Sequence, residues 1–303
     1  MGVGIKYGYP KAPLPRKLKA YAMLLRPFTL LAPSLAGIFG VVVGAGSLTY
    51  EVLKTGVYVG VTLALAQAVG QVINQVVDAE LDKVIKPYRP IPRGWVSRDE
   101  AMGLAWLLAV VAVARAFTVT VTFGLWVLVM LFFAVFYSLP PISPRRVNPF
   151  LNLLWVSFSR GFIPFIATVT VYGPLSKALL YSLIAWLWCF SLQGTKDVPD
   201  AEGDRMFGIK TVYNTYGMKG LVITSLTGLG LLTILSLASG HVLFLALIPL
   251  GVASLATIRR EFITENTLGW ALFYVGLGLT YLLAIIDSLP VAPRLEPFID
   301  FLG

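Results

Sequence analysis

The chain has 303 residues, of which 57% are hydrophobic and only 13% charged, with a mean hydropathy of +0.80. Soluble globular proteins carry about 25% charged residues, so an ordinary soluble domain is excluded and an integral membrane protein is predicted, with residues 1–303 forming one polytopic unit. The formal charge of +9 does not point to nucleic acid, because the cations stand in short loops between apolar runs; bilayer orientation and an anionic substrate account for them better.

Met1 to Arg26 is broken by Pro10, Pro13 and Pro15 and lacks the apolar centre of a cleavable signal peptide, so the first span is expected to act as the insertion signal. Within that stretch, residues 14–25 read as a short basic amphipathic helix lying at the interface. Leu14, Leu18, Tyr21, Ala22 and Leu25 recur at helical spacing, with Arg16, Lys17 and Lys19 on the other side. Arg26-Pro27 then opens the first of nine apolar segments, at about 27–46, 56–77, 100–117, 118–138, 149–173, 175–196, 217–239, 241–258 and 267–289. A crossing takes roughly 20 residues. The third and fourth segments are divided only by Arg115 to Thr118, so eight spans is the competing count. Cys189, the single cysteine, sits inside an apolar run and is expected to pack there, and the single histidine, His241, is expected to be structural.

With the N-terminus inside, 19 of the 24 Lys and Arg fall on the inner side and four (Lys54, Arg115, Lys177 and Arg294) on the outer, leaving Arg160 in mid-span. That asymmetry predicts nine helices, N-in and C-out, in a cell membrane. The two longest polar loops, 78–99 and 197–216, both fall on the cytoplasmic side and are expected to cap the protein there.

Those loops begin with acidic stretches. Asn74, Asp78 and Asp82 are spaced i, i+4, i+8 at the end of a long apolar run, which on an α-helix drifts by only about 40° per step and makes one polar stripe. The idea recurs 122 residues later, where Asp78-Ala79-Glu80-Leu81-Asp82-Lys83 lines up with Asp200-Ala201-Glu202-Gly203-Asp204-Arg205. Asp197, Asp200 and Asp204 again share a helical face. Four helices separate the copies, an even number, so the two halves are a parallel repeat and both stripes reach the same membrane face. Carboxylates gathered there repel strongly unless cations separate them. An all-oxygen donor set of Asn74, Asp78, Asp82, Asp197, Asp200 and Asp204, with no cysteine or histidine nearby, suits Mg²⁺ rather than zinc. Glu80 and Glu202 fall off the stripe and read as solvated. Lys83, Lys86, Arg89, Arg145 and Lys196 surround the acids, and carboxylates ringed by Lys and Arg suit a diphosphate. Setting topology is the competing role for these cations.

Tyr137 ends its helix on the same face, where its hydroxyl either donates to a phosphate oxygen or serves as an interfacial belt residue. Ser138, Asn152 in the fifth span and Arg26 are further cavity candidates. An arginine in mid-span, as Arg160 is, marks a functional site by default; a helix-pairing contact is the alternative.

The set formed by Asn74, Asp78 and Asp82, then Arg89-Pro90, then Tyr137-Ser138-Leu139-Pro140-Pro141, then Lys196-Asp197, Asp200 and Asp204, resembles the UbiA superfamily of intramembrane prenyltransferases. The resemblance runs from Arg26-Pro27 to the ninth apolar segment. It implies an all-α membrane protein of nine helices around a central cavity, in which the two acidic motifs bind a polyprenyl diphosphate through Mg²⁺, two ions being expected. It also implies catalytic roles for Asp78, Asp82, Asp200, Asp204 and Tyr137. The second motif, continued by Phe207-Gly208-Ile209-Lys210-Thr211, looks like those of aromatic prenyltransferases of quinone synthesis. It also stands near the form in enzymes that prenylate geranylgeranylglyceryl phosphate. An aromatic acceptor resembling 4-hydroxybenzoate is therefore the expectation and the glycerol lipid the alternative. A cation transporter with an acidic vestibule is the rival of another class.

Overall fold

The structure is a computed structural model and describes residues 13–257 and 267–288. Lys6, Lys11, Arg259, Arg260 and Arg294 of the charge count, and the C-terminal ends of the last two apolar segments, lie outside those residues. Among the described residues there is no strand.

The chain begins with the amphipathic helix α1 (Leu14–Leu25), on the predicted boundaries. Its exposed leucines, Leu14 and Leu18, oppose the buried Ala20 and Leu24. Arg26 follows in the left-handed region (φ 51°) and turns the chain into α2 (Pro27–Ala45). The first half continues with α3 (Tyr50–Val77), the short α4 (Ala79–Ile85), α5 (Arg98–Phe117) and α6 (Val121–Phe136). Two short pieces come next, α7 (Pro144–Val147) and α8 (Pro149–Ser157). A π-helical turn at Phe158–Phe162 then joins α8 to α9 (Ile163–Val169). The second half holds α10 (Leu175–Gln193), α11 (Ala201–Met206), α12 (Val212–Ala238), α13 (Leu247–Ala256) and α14 (Thr267–Ser288).

Among the described residues, seven helical stretches are long and apolar enough to cross a membrane: 27–45, 50–77, 98–117, 149–169, 175–197, 212–238 and 268–288. Two shorter apolar stretches, Val121–Phe136 and Val242–Ala256, complete the set of predicted segments. The weakest predicted division is a real break. Thr118 Oγ1 donates to the Arg115 carbonyl at 2.7 Å, and Thr120 caps α6 by accepting from Phe123 N at 3.0 Å. The seventh predicted segment starts earlier than expected, at Val212, but breaks at Gly217 (φ 66°, ψ −164°).

Helix packing follows small residues rather than large ones, as it does where lipid removes the hydrophobic drive between helices. A Cβ on Gly37 of α2 would lie 2.2 Å from the Cα of Gly60 on α3. That crossing brings α2 and α3 close along their length and fixes the wall from which the first acidic motif projects.

The two acidic stretches do not continue their helices. α3 stops at Val77, Asp78 stands between it and α4 (φ −88°, ψ 13°), and Asp82 N then donates to Asp78 O at 2.7 Å. In the second copy α10 tightens into a 3₁₀ turn at Gly194–Asp197, Pro199 prevents continuation, and Asp200 precedes α11. Asp204 N donates to Asp200 O at 2.8 Å. The single straight stripe expected from helical spacing is corrected to a long helix, a break at an aspartate and a short helix. Asp78 and Asp200 stand at these helix starts without a side-chain cap bond; their carboxylates turn to Arg145 and Lys86 instead. The backbone at the aspartate is alike in the two copies (φ −88°, ψ 13° at Asp78; φ −92°, ψ −2° at Asp200), although the second copy reaches it through a 3₁₀ turn.

Candidate active site

α4 and α11 meet at the end of the bundle where both motifs emerge. A Cβ on Gly203 would lie 2.6 Å from Ile85 Cγ2, so the glycine lets α11 lie against α4. Behind this pair lies a cavity of about 280 Å³, and all six predicted donors, Asn74, Asp78, Asp82, Asp197, Asp200 and Asp204, line it. No cysteine or histidine does. Cys189 is buried in α10, and His241 pairs with the buried Asp287. The donor set is thus all oxygen, the chemistry of a hard divalent cation.

Most of these carboxylates are already held by cations. Arg145 binds Asp78 through two bonds, Nη1 to Oδ2 and Nη2 to Oδ1, each at 2.7 Å, and Asn74 Nδ2 donates to Asp78 Oδ2 at 2.8 Å. Arg89 Nη1 donates to Asp82 Oδ2 at 2.6 Å. Lys86 Nζ reaches across the two halves to Asp200 Oδ2 at 2.6 Å. Lys196 pairs with Asp197. Among the described residues no three Asp, Glu, His or Cys side chains are gathered closely enough to hold a metal ion. The fit to a divalent cation therefore lies in the identity of the donors and their shared cavity, and a metal has to share or displace these ion pairs.

The electrostatics follow from burial. Burial, with Asp197 and Asp200 close by, pushes the Asp204 carboxyl up to about 7. Burial also raises Asp82, and Arg89 opposes it. At Arg145 burial works against the charge, but its Asp78 partner outweighs it and holds the guanidinium above its ordinary value. Burial, with Arg89 and Arg160, pushes Arg26 down to about 10.

Of the predicted phosphate-binding cations, Lys86, Arg89, Arg145 and Lys196 line the cavity and Lys83 does not. Lys83 is exposed and pairs with Glu80, as Arg98 also does. The reason is periodicity: Lys83 stands one residue and about 100° past Asp82 on α4, whereas Lys86 stands four residues on and shares its face. Tyr137 lines the cavity, its ring centroid 5.5 Å from the Arg145 guanidinium carbon. Arg26 and Arg160 line it too. Arg26 donates to Gln71 Oε1 at 3.0 Å, and Arg160 is presented by the π-helical turn, a distortion that concentrates at functional sites.

Ser138 and Asn152, both expected in the cavity, stand behind its wall. Ser138 Oγ accepts from Asn74 Nδ2 at 3.3 Å. Asn152 Nδ2 donates to the Lys210 carbonyl at 2.8 Å, while Lys210 N donates to the Arg145 carbonyl at 2.7 Å. Asn152 thus ties down the segment after α11 instead of facing substrate. Sequence reasoning also missed lining residues. Gln67 and Gln71 continue the Asn74–Asp78 face one and two turns earlier on α3, a signal present in the spacing. Phe133 of α6 and Trp270 of α14 also line the cavity but stand in uniformly apolar helices, where spacing carries no such signal.

The sequence profile of the UbiA prenyltransferase family matches residues 30–285. A protein of Thermococcus sibiricus named digeranylgeranylglyceryl phosphate synthase is 28% identical over 203 residues, 67% of this chain and 70% of its own. A rice protein named probable homogentisate phytyltransferase 2, chloroplastic, is 34% identical over 184 residues, 55% of this chain and 46% of its own. Among solved structures, a UbiA homologue from Archaeoglobus fulgidus bound to GPP and Mg²⁺ superposes with a TM-score of 0.65 at 18% identity, covering 88% of this chain and 99% of that one. A structure of digeranylgeranylglyceryl phosphate synthase superposes with a TM-score of 0.67 at 21% identity, covering 91% and 99%.

Proposed function

Because the chain belongs to the UbiA prenyltransferase family, we propose that its cavity transfers a polyprenyl group from an allylic polyprenyl diphosphate to a phosphorylated glycerol lipid, such as geranylgeranylglyceryl phosphate. Diphosphate is released. The observation that carries the donor side is the meeting of both acidic motifs and four ion-paired cations in one cavity. The relatives named digeranylgeranylglyceryl phosphate synthase, from Thermococcus and other archaea, favour the glycerol lipid over the 4-hydroxybenzoate-like acceptor expected from the sequence. The family assignment also removes the cation-transporter reading.

The chain is a multi-pass membrane enzyme. We further assign it nine crossings with the N-terminus and the α4–α11 cap on the cytoplasmic side, on the strength of the charge asymmetry. Asn74, Asp78, Asp82, Asp197, Asp200 and Asp204 would hold divalent metal, Mg²⁺ by donor type, which when bound neutralises charge on the leaving diphosphate. Lys86, Arg89, Arg145 and Lys196 would take the remaining phosphate oxygens. As the C1–O bond to diphosphate breaks, the rings of Tyr137, Phe133 and Trp270 face the allylic cation. The acceptor hydroxyl attacks C1, and its proton passes to the departing diphosphate. The apolar wall at Met130, Phe133 and Ala134 keeps water from the cation.

The test is purified protein with Mg²⁺ and geranylgeranyl diphosphate, offered geranylgeranylglyceryl phosphate, homogentisate or 4-hydroxybenzoate and read by mass spectrometry. Prenylation of the glycerol lipid is expected. Prenylation of homogentisate instead establishes the second reading, which the rice relative favours. Absence of any product, with Asp78→Ala binding the donor as wild type does, refutes both.

A further inference from the structure

The cavity lining contains five carboxylates, Asp78, Asp82, Asp197, Asp200 and Asp204, and six cations, Arg26, Lys86, Arg89, Arg145, Arg160 and Lys196. Their pairing is selective. The four cations assigned to the diphosphate, Lys86, Arg89, Arg145 and Lys196, are the ion-pair partners of Asp200, Asp82, Asp78 and Asp197, the first three at 2.6 to 2.7 Å. Arg26 and Arg160 line the same cavity, and among the described residues neither carries an ion pair with a carboxylate.

We propose that the cavity stores its phosphate-binding cations on its metal-binding carboxylates, so that metal and diphosphate enter by one exchange and each binds poorly without the other. The inference rests on the prenyl-diphosphate reading above. A divalent ion that takes Asp200 or Asp82 strips Lys86 or Arg89 of its partner. A cation left without a counter-charge in a half-buried site is costly. Lys86 is the central element, because its partner belongs to the other half of the chain, 114 residues away. The coupling is reciprocal: whatever factor diphosphate gives metal, metal gives diphosphate.

Direct bridging of metal to phosphate also produces some synergy, so the decisive measurement is metal binding alone. Mn²⁺ binding to the purified full-length protein is followed by loss of the free-ion electron paramagnetic resonance signal, with and without inorganic pyrophosphate. Lys86→Met keeps the aliphatic stem and removes the stored charge. It is expected to bind Mn²⁺ alone about tenfold more tightly than wild type, while the tightening by pyrophosphate shrinks by a similar factor. Arg26→Gln removes a cation from the same cavity that no carboxylate holds, and is expected to lose pyrophosphate affinity without gaining Mn²⁺ affinity. Lys86→Gln repeats the test if the methionine variant does not fold, and thermal unfolding reports which variant does. The exchange is overturned if Lys86→Met binds Mn²⁺ no tighter than wild type, or if Arg26→Gln tightens it equally. Wild-type protein that binds no Mn²⁺ even with pyrophosphate overturns the prenyl-diphosphate reading itself.

Discussion

At the residue scale, the Asp78–Arg145 pair decides most. Both side chains are almost wholly buried, at 9% and 3% exposure, and the bridge is bidentate. Removing one partner of such a pair leaves an uncompensated charge and costs about 3–5 kcal/mol. Asp78→Asn is therefore expected to lower the unfolding temperature in detergent sharply. The double variant Asp78→Asn/Arg145→Met is expected to recover part of that stability and none of the turnover. A double variant no more stable than Asp78→Asn alone would show that the pair is not what stabilises this corner. Glu80 and Lys83 make the contrast. They pair at 2.9 Å but are 60% and 57% exposed, where salt and water screen the attraction. Lys83→Ala is expected to retain wild-type turnover and unfolding temperature. A tenfold loss of turnover would return Lys83 to the diphosphate site that its sequence position suggested.

At the element scale, the site depends on two close approaches that only glycine permits. On Gly37 of α2, any side chain meets the Gly60 backbone at 2.2 Å, and backbone cannot step aside as a flexible side chain can. Gly37→Val is expected to prevent α2 and α3 from packing, so that membranes contain little folded protein. Gly203 meets the side chain of Ile85, at 2.6 Å from Cγ2 and 3.1 Å from Cδ1, and no backbone, so the neighbour can yield by moving its side chain. Gly203→Leu is therefore expected to fold but to push α11 from α4, moving Asp204 and Asp200 away from the first motif. Turnover should fall by about 10²-fold, because displacements near 1 Å cost that much. A folded Gly203→Leu protein with undiminished turnover would show that the clasp is not needed. The break at each aspartate belongs to this scale too, since it turns two helix ends into two short helices that lie against each other at the end of the cavity.

At the scale of the whole molecule, the cap and the short turns between helices lie at opposite ends of the bundle. Ser47 stands in the turn between α2 and α3, at the far end of α3 from Asp78, whereas Arg93 follows α4 on the cap side. In a Cys189→Ala background, Arg93→Cys and Ser47→Cys are expected to react with an impermeant thiol reagent from opposite faces of sealed vesicles, with Arg93→Cys reactive from the cytoplasmic face. The reverse orientation would overturn the charge-based topology. Labelling of both from one face would remove an odd number of crossings. α1 is tied to α5 by Lys17 Nζ on Glu100 Oε1 at 2.8 Å and to α3 by Gln75 Nε2 on the Leu24 carbonyl at 2.8 Å. This braces the turn at Arg26, whose left-handed backbone costs about 1–3 kcal/mol.

By itself the amino-acid sequence determined the apolar segments, the amphipathic α1 and the six oxygen-bearing side chains, Asn74, Asp78, Asp82, Asp197, Asp200 and Asp204, that line the cavity. Each of these is written in local spacing, by runs long enough to cross lipid and by polar residues recurring at helical steps. Tertiary structure alone decided which cation meets which carboxylate. Lys86 reaches Asp200 and Arg145 reaches Asp78 across 114 and 67 residues, distances over which helical periodicity carries no information. It likewise turned Asn152 toward Lys210, brought Phe133 and Trp270 to the cavity from uniformly apolar helices, and bent each acidic stripe at an aspartate. The physical reason is the same throughout. A helix face is set by neighbours three and four residues away, but what that face meets is set by how whole helices pack, and here packing is governed by the few positions where glycine lets two backbones touch.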